Sequence, residues 1–63
     1  MKLIDTDISV RTYNILVRNG IENIEDLAKI SSEGIMKWTN LGRRSLEEVL
    51  QLMKKHNVSF ADE

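Results

Sequence analysis

The sequence predicts an all-α fold in which four helices pack as one compact domain. Hydrophobic residues recur with helical spacing, most clearly at Leu46, Val49, Leu50 and Met53. No segment alternates polar and apolar residues for long enough to make a strand, and the 63 residues contain no proline to interrupt a helix. We expect a single domain over residues 1–63, with an ordered core over about 4–59 and a frayed tail over 60–63.

The first predicted helix runs from Ser9 to Asn19. Ser9 can accept a hydrogen bond from a free N–H group of the first turn, and Gly20 suits the left-handed residue that ends many helices. Helical spacing predicts an inward face of Val10, Tyr13, Leu16 and Val17. The outward stripe then consists of Arg11, Asn14, Ile15 and Arg18.

Three further helices are predicted along the chain. The second begins after Asn23, the third after Ser31 or Ser32, and the fourth ends near Asn57, which we expect to be its C-terminal cap. Acidic residues near the start of the fourth helix and lysines near its end agree with the helix dipole. Ile24, Leu27 and Ala28 are predicted to form the inward face of the second helix. The third helix carries Ile35, Met36 and Trp38.

The composition argues against catalysis, metal binding and membrane insertion. Cysteine is absent and His56 is the single histidine, so disulfides, thiolate metal sites and multi-histidine sites are excluded. The neighbouring Glu47 and Glu48 diverge on a helix and do not form a catalytic pair. No apolar run approaches the roughly 20 residues of a membrane span, and the N-terminal residues do not resemble a signal peptide. We therefore expect a non-catalytic cytoplasmic protein without a cofactor.

The strongest local feature is the segment from Thr39 to Leu46, a glycine-containing turn that leads directly into the fourth helix. This is the layout of a helix-hairpin-helix, with Leu41 turned inward. The first turn of a helix carries free N–H groups and a partial positive charge. Glycine at its entry lets a phosphate approach the backbone. Charge and a hydroxyl are added at the same place by Arg43, Arg44 and Ser45.

The distribution of charge along the sequence also indicates a surface that binds anions. The net charge is only -1, yet the arginines lie in the first helix and the turn, with acids between them in sequence. Such segregation favours a basic face on a near-neutral domain. Each feature alone is weak evidence, because surface arginines are usually only solvated and an Asn-Leu-Gly turn is most often only a turn.

Taken together, these segments resemble the C-terminal domain of the bacterial RNA polymerase alpha subunit, which has a SAM-like helical fold. The resemblance covers about Ile4 to Ser59. It is carried by the segments Ile8-Ser9-Val10-Arg11-Thr12-Tyr13-Asn14 and Asn40-Leu41-Gly42-Arg43-Arg44-Ser45-Leu46-Glu47-Glu48, with a family-like stretch from Gly20 to Leu27 between them. The sequence departs from the family pattern at Gly34, Trp38 and Thr39.

The resemblance implies a role in binding the minor groove of A·T-rich DNA upstream of promoters. It implies that Arg11 inserts into the groove and that Glu48 orients this arginine. Ile15 falls on the DNA face in the family. Residues implied to contact the DNA backbone and sugars beside Arg11 are Asn14, Gly42, Arg44 and Ser45.

The resemblance also implies protein partners. The acids Asp5 and Asp7 match a patch that meets the sigma factor, and Ser31 to Glu33 match a surface that meets transcription activators. If the protein is a fragment, the rest of RNA polymerase is a further partner. The sequence is compatible with an excised domain and with a stand-alone paralogue. The alternative function is a protein-interaction module that has the same fold and does not bind DNA.

Overall fold

The computed structural model describes residues 1–62 and confirms the all-α prediction. Helix α1 spans Val10–Arg18, α2 spans Ser32–Met36 and α3 spans Arg43–Lys55. The second predicted helix is present as a 3-10 helix over Ile24–Lys29, and a further 3-10 turn over Leu3–Asp5 was not predicted. Within residues 1–62, the only strand-like pairing is one isolated bridge between Lys2 and Asn23.

The ends of the two longer helices follow from single residues. Gly20 has a φ of 83°, and its N–H donates to the Val17 carbonyl at 3.0 Å. The next N–H, from Ile21, donates to the Leu16 carbonyl at 2.9 Å, which completes the pair of hydrogen bonds of a Schellman cap. Asn57, with a φ of 57°, occupies the same position after α3. Both predicted caps are confirmed.

The core lies between α1 and α3 and is closed by the shorter elements. Thr12 on α1 and Ser45 on α3 are buried beside it as polar residues. Trp38 and Leu41, on the approach to α3, are partly buried against it, as predicted for Leu41. The buried apolar residues of the cluster are Leu3, Leu16, Ile21, Ile24, Leu27, Ile35, Val49, Leu52, Met53 and Phe60.

The prediction for the inward face of α1 was wrong, because the buried face is rotated about the helix axis by part of a turn. Val10 is 75% exposed and Val17 is 40% exposed, whereas Thr12 and Ile15 are buried. The reason is that a polar residue sits at the centre of the buried face, where its hydroxyl is satisfied by hydrogen bonds. Ala28, which was predicted to face inward from the second helix, is also exposed.

The end of the protein is also packed, contrary to the predicted frayed tail. Phe60 is 5% exposed within the core, and the N–H of Ala61 donates to the Ile30 carbonyl at 2.8 Å. The Asp62 carboxylate accepts from the backbone N–H of Ser32 at 3.0 Å and from its hydroxyl at 2.7 Å. These contacts tie the last described residues to the start of α2. Residue 63 of the predicted tail lies outside the described residues.

Candidate nucleic-acid interface

One flank of α1 and the turn before α3 enclose an open groove of about 600 Å³. The groove forms because Leu41 packs against the core and so brings the turn alongside the helix. From α1 it is lined by Arg11, Asn14, Ile15 and Arg18, and from the turn by Thr39, Asn40, Leu41 and Gly42. The predicted outward stripe of α1 thus faces the hairpin turn.

A second hollow of about 550 Å³ continues the groove over the N-terminus of α3. Arg11 and Gly42 line both hollows, so the two form one concave surface. We call it the groove face and define it by its exposed members Arg11, Asn14, Arg18, Gly42, Arg43 and Arg44. The predicted DNA-binding residues Arg11, Asn14, Gly42, Arg43 and Arg44 are all among them.

The arginines of the groove face are largely free of protein partners. Within residues 1–62, none of the ion pairs involves Arg11, Arg18 or Arg44. Arg43 lies 3.7 Å from a carboxylate oxygen of Glu47, but both side chains are mostly exposed, and such a pair stabilises by at most about 1 kcal/mol. Four guanidinium groups can therefore meet an anionic ligand without breaking a buried interaction.

Gly42 is the N-cap of α3 and leaves the start of this helix open. Glycine has no side chain that could bond the free N–H groups of the first turn, so α3 has no side-chain N-cap. A Cβ atom built on Gly42 would have no heavy atom within 4 Å, so the glycine keeps space free above the helix N-terminus. Its φ of -75° is one that any residue adopts, so the backbone conformation does not require a glycine here.

Behind the groove face, four polar side chains form a hydroxyl–carboxylate cluster. The Thr12 hydroxyl donates to Glu48 at 2.6 Å and lies 3.0 Å from the hydroxyl oxygen of Ser45. Ser9 donates its backbone N–H to Glu48 at 2.9 Å, and its hydroxyl, which caps α1, lies 3.1 Å from the same carboxylate. Ser9, Thr12, Ser45 and Glu48 thus join the first turns of α1 and α3.

The hydrogen bonds of this cluster stabilise the charged form of Glu48, the carboxylate beside the arginines of the groove face. The hydrogen bond from Thr12 contributes most to lowering the pKa of Glu48 below its ordinary value of 4.5, followed by the backbone N–H of Ser9. The charge of Arg44 contributes less. The Glu48 carboxylate is thus bound to the start of α1, and its role in orienting Arg11 stays a prediction.

Two of the predicted DNA-binding residues form the base of the surface. Ile15 is 6% exposed and Ser45 is 5% exposed. Only a small part of each residue is therefore accessible from the hollow that it lines. Sequence reasoning missed Thr12 altogether. The available signal was the Ser-x-x-Thr spacing at the start of α1, which brings two hydroxyls together at the helix entry.

The acidic residues lie on a separate hollow of about 280 Å³. Asp5 and Asp7 are exposed, and a carboxylate oxygen of Asp7 is 3.9 Å from the Lys55 ammonium at the far end of α3. Glu48 lines both this hollow and the groove face. The hollow that contains Asp5 and Asp7 and the groove face are thus neighbours that share Glu48.

The family model for the C-terminal domain of the bacterial RNA polymerase alpha subunit matches residues 1–55. The protein belongs to this family. Its relatives include the DNA-directed RNA polymerase alpha subunits of Desulfitobacterium hafniense, 45% identical, and Clostridium acetobutylicum, 48% identical, each over 60 residues that make up 95% of this sequence and 19% of the relative. The alpha subunit of Oceanobacillus iheyensis is 43% identical over 100% of this sequence and 20% of its own length. The sequence thus spans about a fifth of the length of these curated relatives.

Within residues 1–62, no helix is long and apolar enough to cross a membrane. The longest, α3, has 13 residues. No group of three or more metal-binding side chains is found within residues 1–62.

Gly42 of this alpha C-terminal domain offers a substitution with opposite effects on folding and binding. Gly42→Asp places a good N-cap and a negative charge at the start of α3, so the melting temperature should hold or rise, with roughly 0.3–1 kcal/mol from the dipole. The same charge repels a phosphate, so affinity for duplex DNA should fall by about tenfold or more. Gly42→Asn is the matched neutral cap and should bind better than Gly42→Asp. Equal DNA affinity of the two variants would show that no phosphate approaches this position.

Proposed function

We propose that this protein is the DNA-binding and regulator-docking domain of a bacterial RNA polymerase alpha subunit, and that its groove face contacts the minor groove of A·T-rich DNA upstream of promoters. The observation that carries the proposal is the groove face itself. It brings unpaired arginines from α1 together with the open N-terminus of α3 on one concave surface. Membership of the family supports the same function.

Arg11 is the residue proposed to enter the minor groove. It lines both hollows, and the next residue, Thr12, lies 3.0 Å from the Ser45 hydroxyl in the first turn of α3. A·T tracts have a narrow minor groove with an enhanced negative potential, which attracts an inserted guanidinium. Because both A·T and T·A pairs present only acceptors there, one arginine can sense groove width without reading a sequence.

The flanking residues are proposed to position the domain on the sugar–phosphate backbone. The first free N–H groups of α3, next to Gly42 and Arg44, point toward a site where a phosphate is favoured by hydrogen bonds and by the helix dipole. Asn14 and Arg18 line the groove further along α1 and can contact the other side of the same site. Ile15 and Ser45 complete the base of this site.

The proposed binding is weak and strongly dependent on salt. About three to five phosphate contacts are available, and each releases counterions, so affinity should fall steeply as salt rises. A single small module buries little surface, which places its affinity in the micromolar range or weaker. Two tethered copies in a polymerase would compensate by high effective concentration. The test is a titration with A·T-rich and G·C-rich duplexes.

Regulator docking is proposed for the surfaces away from the groove face. The exposed Asp5 and Asp7 present negative charge that suits a basic partner surface, proposed to be the sigma factor. Ser31 to Glu33, at the start of α2, are proposed to meet transcription activators. Because Asp62 is bonded to Ser32, the last described residues belong to that second surface. The remainder of the polymerase is the expected assembly partner.

Charge reversal separates the acidic surface from the groove face. Asp5→Lys combined with Asp7→Lys should weaken binding to the sigma factor and leave DNA affinity equal or stronger, because added positive charge attracts phosphates. The milder pair Asp5→Asn and Asp7→Asn should have an intermediate effect on the sigma factor. Both are measured by calorimetry against the sigma factor and by anisotropy with labelled duplex. Collapse of DNA binding in the reversed variant would mean that the surfaces are not separate.

The alternative is a protein-interaction module that has the same fold and does not bind DNA. The exposed acidic hollow is compatible with that function by itself. What favours DNA is the grouping of Arg11, Asn14 and Arg44 on one concave surface, since a module that binds only proteins has no need of it. Absence of duplex binding at low salt would favour the alternative.

A further inference from the structure

Thr12 is the fully buried polar residue of α1, with no exposed surface. Its hydroxyl is the only side-chain link that joins Arg11's helix to both Ser45 and Glu48 of α3 among the described residues. A hydroxyl in an apolar core costs free energy unless it is bonded, and this one is bonded within the cluster. The position is therefore built for a hydrogen bond and not for hydrophobic packing alone.

The two residues at the centre of the cluster are each next in sequence to a groove-face arginine. Thr12 follows Arg11, and Ser45 follows Arg44. Their hydroxyl oxygens are 3.0 Å apart, although the residues are separated by 33 positions in the sequence. Bonding this pair fixes the distance between the two backbone positions from which the guanidinium groups project.

The same hydroxyl also controls where a negative charge lies. Glu48 lines the hollow over the N-terminus of α3, where a free carboxylate would repel a phosphate and attract the arginines. Thr12 donates the shortest hydrogen bond to it, at 2.6 Å, and the N–H of Ser9 donates another at 2.9 Å. Both bonds hold the carboxylate against the first turn of α1.

We propose that Thr12 is a positioning residue for DNA binding, whose buried hydroxyl sets Arg11 against the N-terminus of α3 and holds the Glu48 carboxylate against the first turn of α1. The proposal rests on the proposed DNA-binding function. Thr12 acts through Arg11 and Glu48 and need not touch the nucleic acid. Its effect is on the discrimination between A·T-rich and G·C-rich grooves, which depends on the placement of the inserted guanidinium.

The test uses Thr12→Val, which keeps the shape of the side chain and removes the hydroxyl. Hydrogen bonds to charged groups are the stronger ones, so affinity for an A·T-rich duplex should fall by about tenfold, and the ratio of A·T to G·C affinity should fall with it. Thr12→Ser restores the hydroxyl and should recover both quantities. All titrations are made well below the melting temperature of each variant, so that every protein is folded.

Ile35→Val provides the control for a purely structural effect. It removes one methyl group from a buried residue of α2 that does not line the groove face. It should lower the melting temperature without changing the affinity ratio. The proposal is overturned if Thr12→Val binds as the parent does, or if it loses affinity while keeping the parental ratio of A·T to G·C binding.

A second readout separates this proposal from the function on which it rests. In the free protein, the backbone amide resonances of Arg44 and Ser45, which are distant from Thr12 in sequence, should shift in Thr12→Val, return in Thr12→Ser and stay in place in Ile35→Val. Unchanged resonances in Thr12→Val overturn the positioning role whatever the DNA result. A parent protein that binds both duplexes equally refutes the proposed function, and shifted resonances would then show a link between the helices that does not serve DNA recognition.

Discussion

Arg11→Ala should remove the preference for A·T-rich DNA together with most of the affinity. The side chain lines both hollows of the groove face and is not part of an ion pair in the described structure, so its loss should leave the fold unchanged. Removing an arginine that contacts bases in a DNA groove costs about 1–3 kcal/mol of binding free energy, or roughly five- to 150-fold in affinity. Anisotropy titrations with labelled A·T-rich and G·C-rich duplexes at low salt measure both effects.

Lys54→Ala is the matched control for the loss of one positive charge. Lys54 is exposed at the far end of α3 and is not part of the groove face. It should reduce affinity slightly and equally for both duplexes, through the general electrostatic term. If Arg11→Ala bound the A·T-rich duplex as well as the parent, the assignment of this arginine to the minor groove would be wrong.

Phe60→Ala should have the largest effect on folding. The side chain is 5% exposed, and truncating a buried phenylalanine costs about 3–5 kcal/mol. A domain of this size has a total stability of roughly 3–9 kcal/mol, so a large part of it should be lost. Thermal unfolding followed by circular dichroism measures the change, and the helical signal of this variant should weaken at 37 °C.

Two controls define what the Phe60 result means. Phe60→Leu keeps an apolar side chain in the core and should cost less than half as much. Ser59→Ala, one residue earlier at an exposed position, should be close to neutral. A melting temperature of Phe60→Ala equal to that of the parent would contradict the packing of Phe60 and support the frayed tail that the sequence predicted.

Features that depend on one residue and its neighbours could be predicted. Ser9, Gly20 and Asn57 each cap a helix end through local geometry, and all three were predicted in that role and observed in it. Local capping preferences need no knowledge of the rest of the fold. For the same reason the turn with Gly42 before α3 was found, although its φ of -75° does not need a glycine.

Features that depend on contacts between distant residues could not be predicted. Hydrophobic spacing placed Val10 inward because it cannot show that Thr12, a polar residue, meets bonding partners 33 and 36 positions away. Phe60 was assigned to a tail because its partners lie in earlier elements, including the Ile30 carbonyl that binds the next residue's N–H. Polar burial and the docking of the last residues are set by tertiary structure, which a single sequence does not display.

The sequence predicted which residues belong to the candidate site better than it predicted the contacts between them. Arg11, Arg43 and Arg44 were identified from their charge and their place beside a cap, and the structure brings them together. The hydrogen bonds from Ser9 and Thr12 to Glu48 were not foreseen, because in the sequence Glu48 resembles any other acid in the first turns of a helix. Residue type indicated the chemistry, and the contacts determined which group each residue serves.

The most direct test of the DNA-binding proposal is a titration of the parent protein with an A·T-rich and a G·C-rich duplex of equal length, each at two salt concentrations. We expect tighter binding to the A·T-rich duplex, because the groove that Arg11 enters is narrower there. We also expect both affinities to fall as salt rises, with a slope that corresponds to about three to five phosphate contacts. Equal affinity for the two duplexes, or no binding to either at the lower salt concentration, would contradict the proposal.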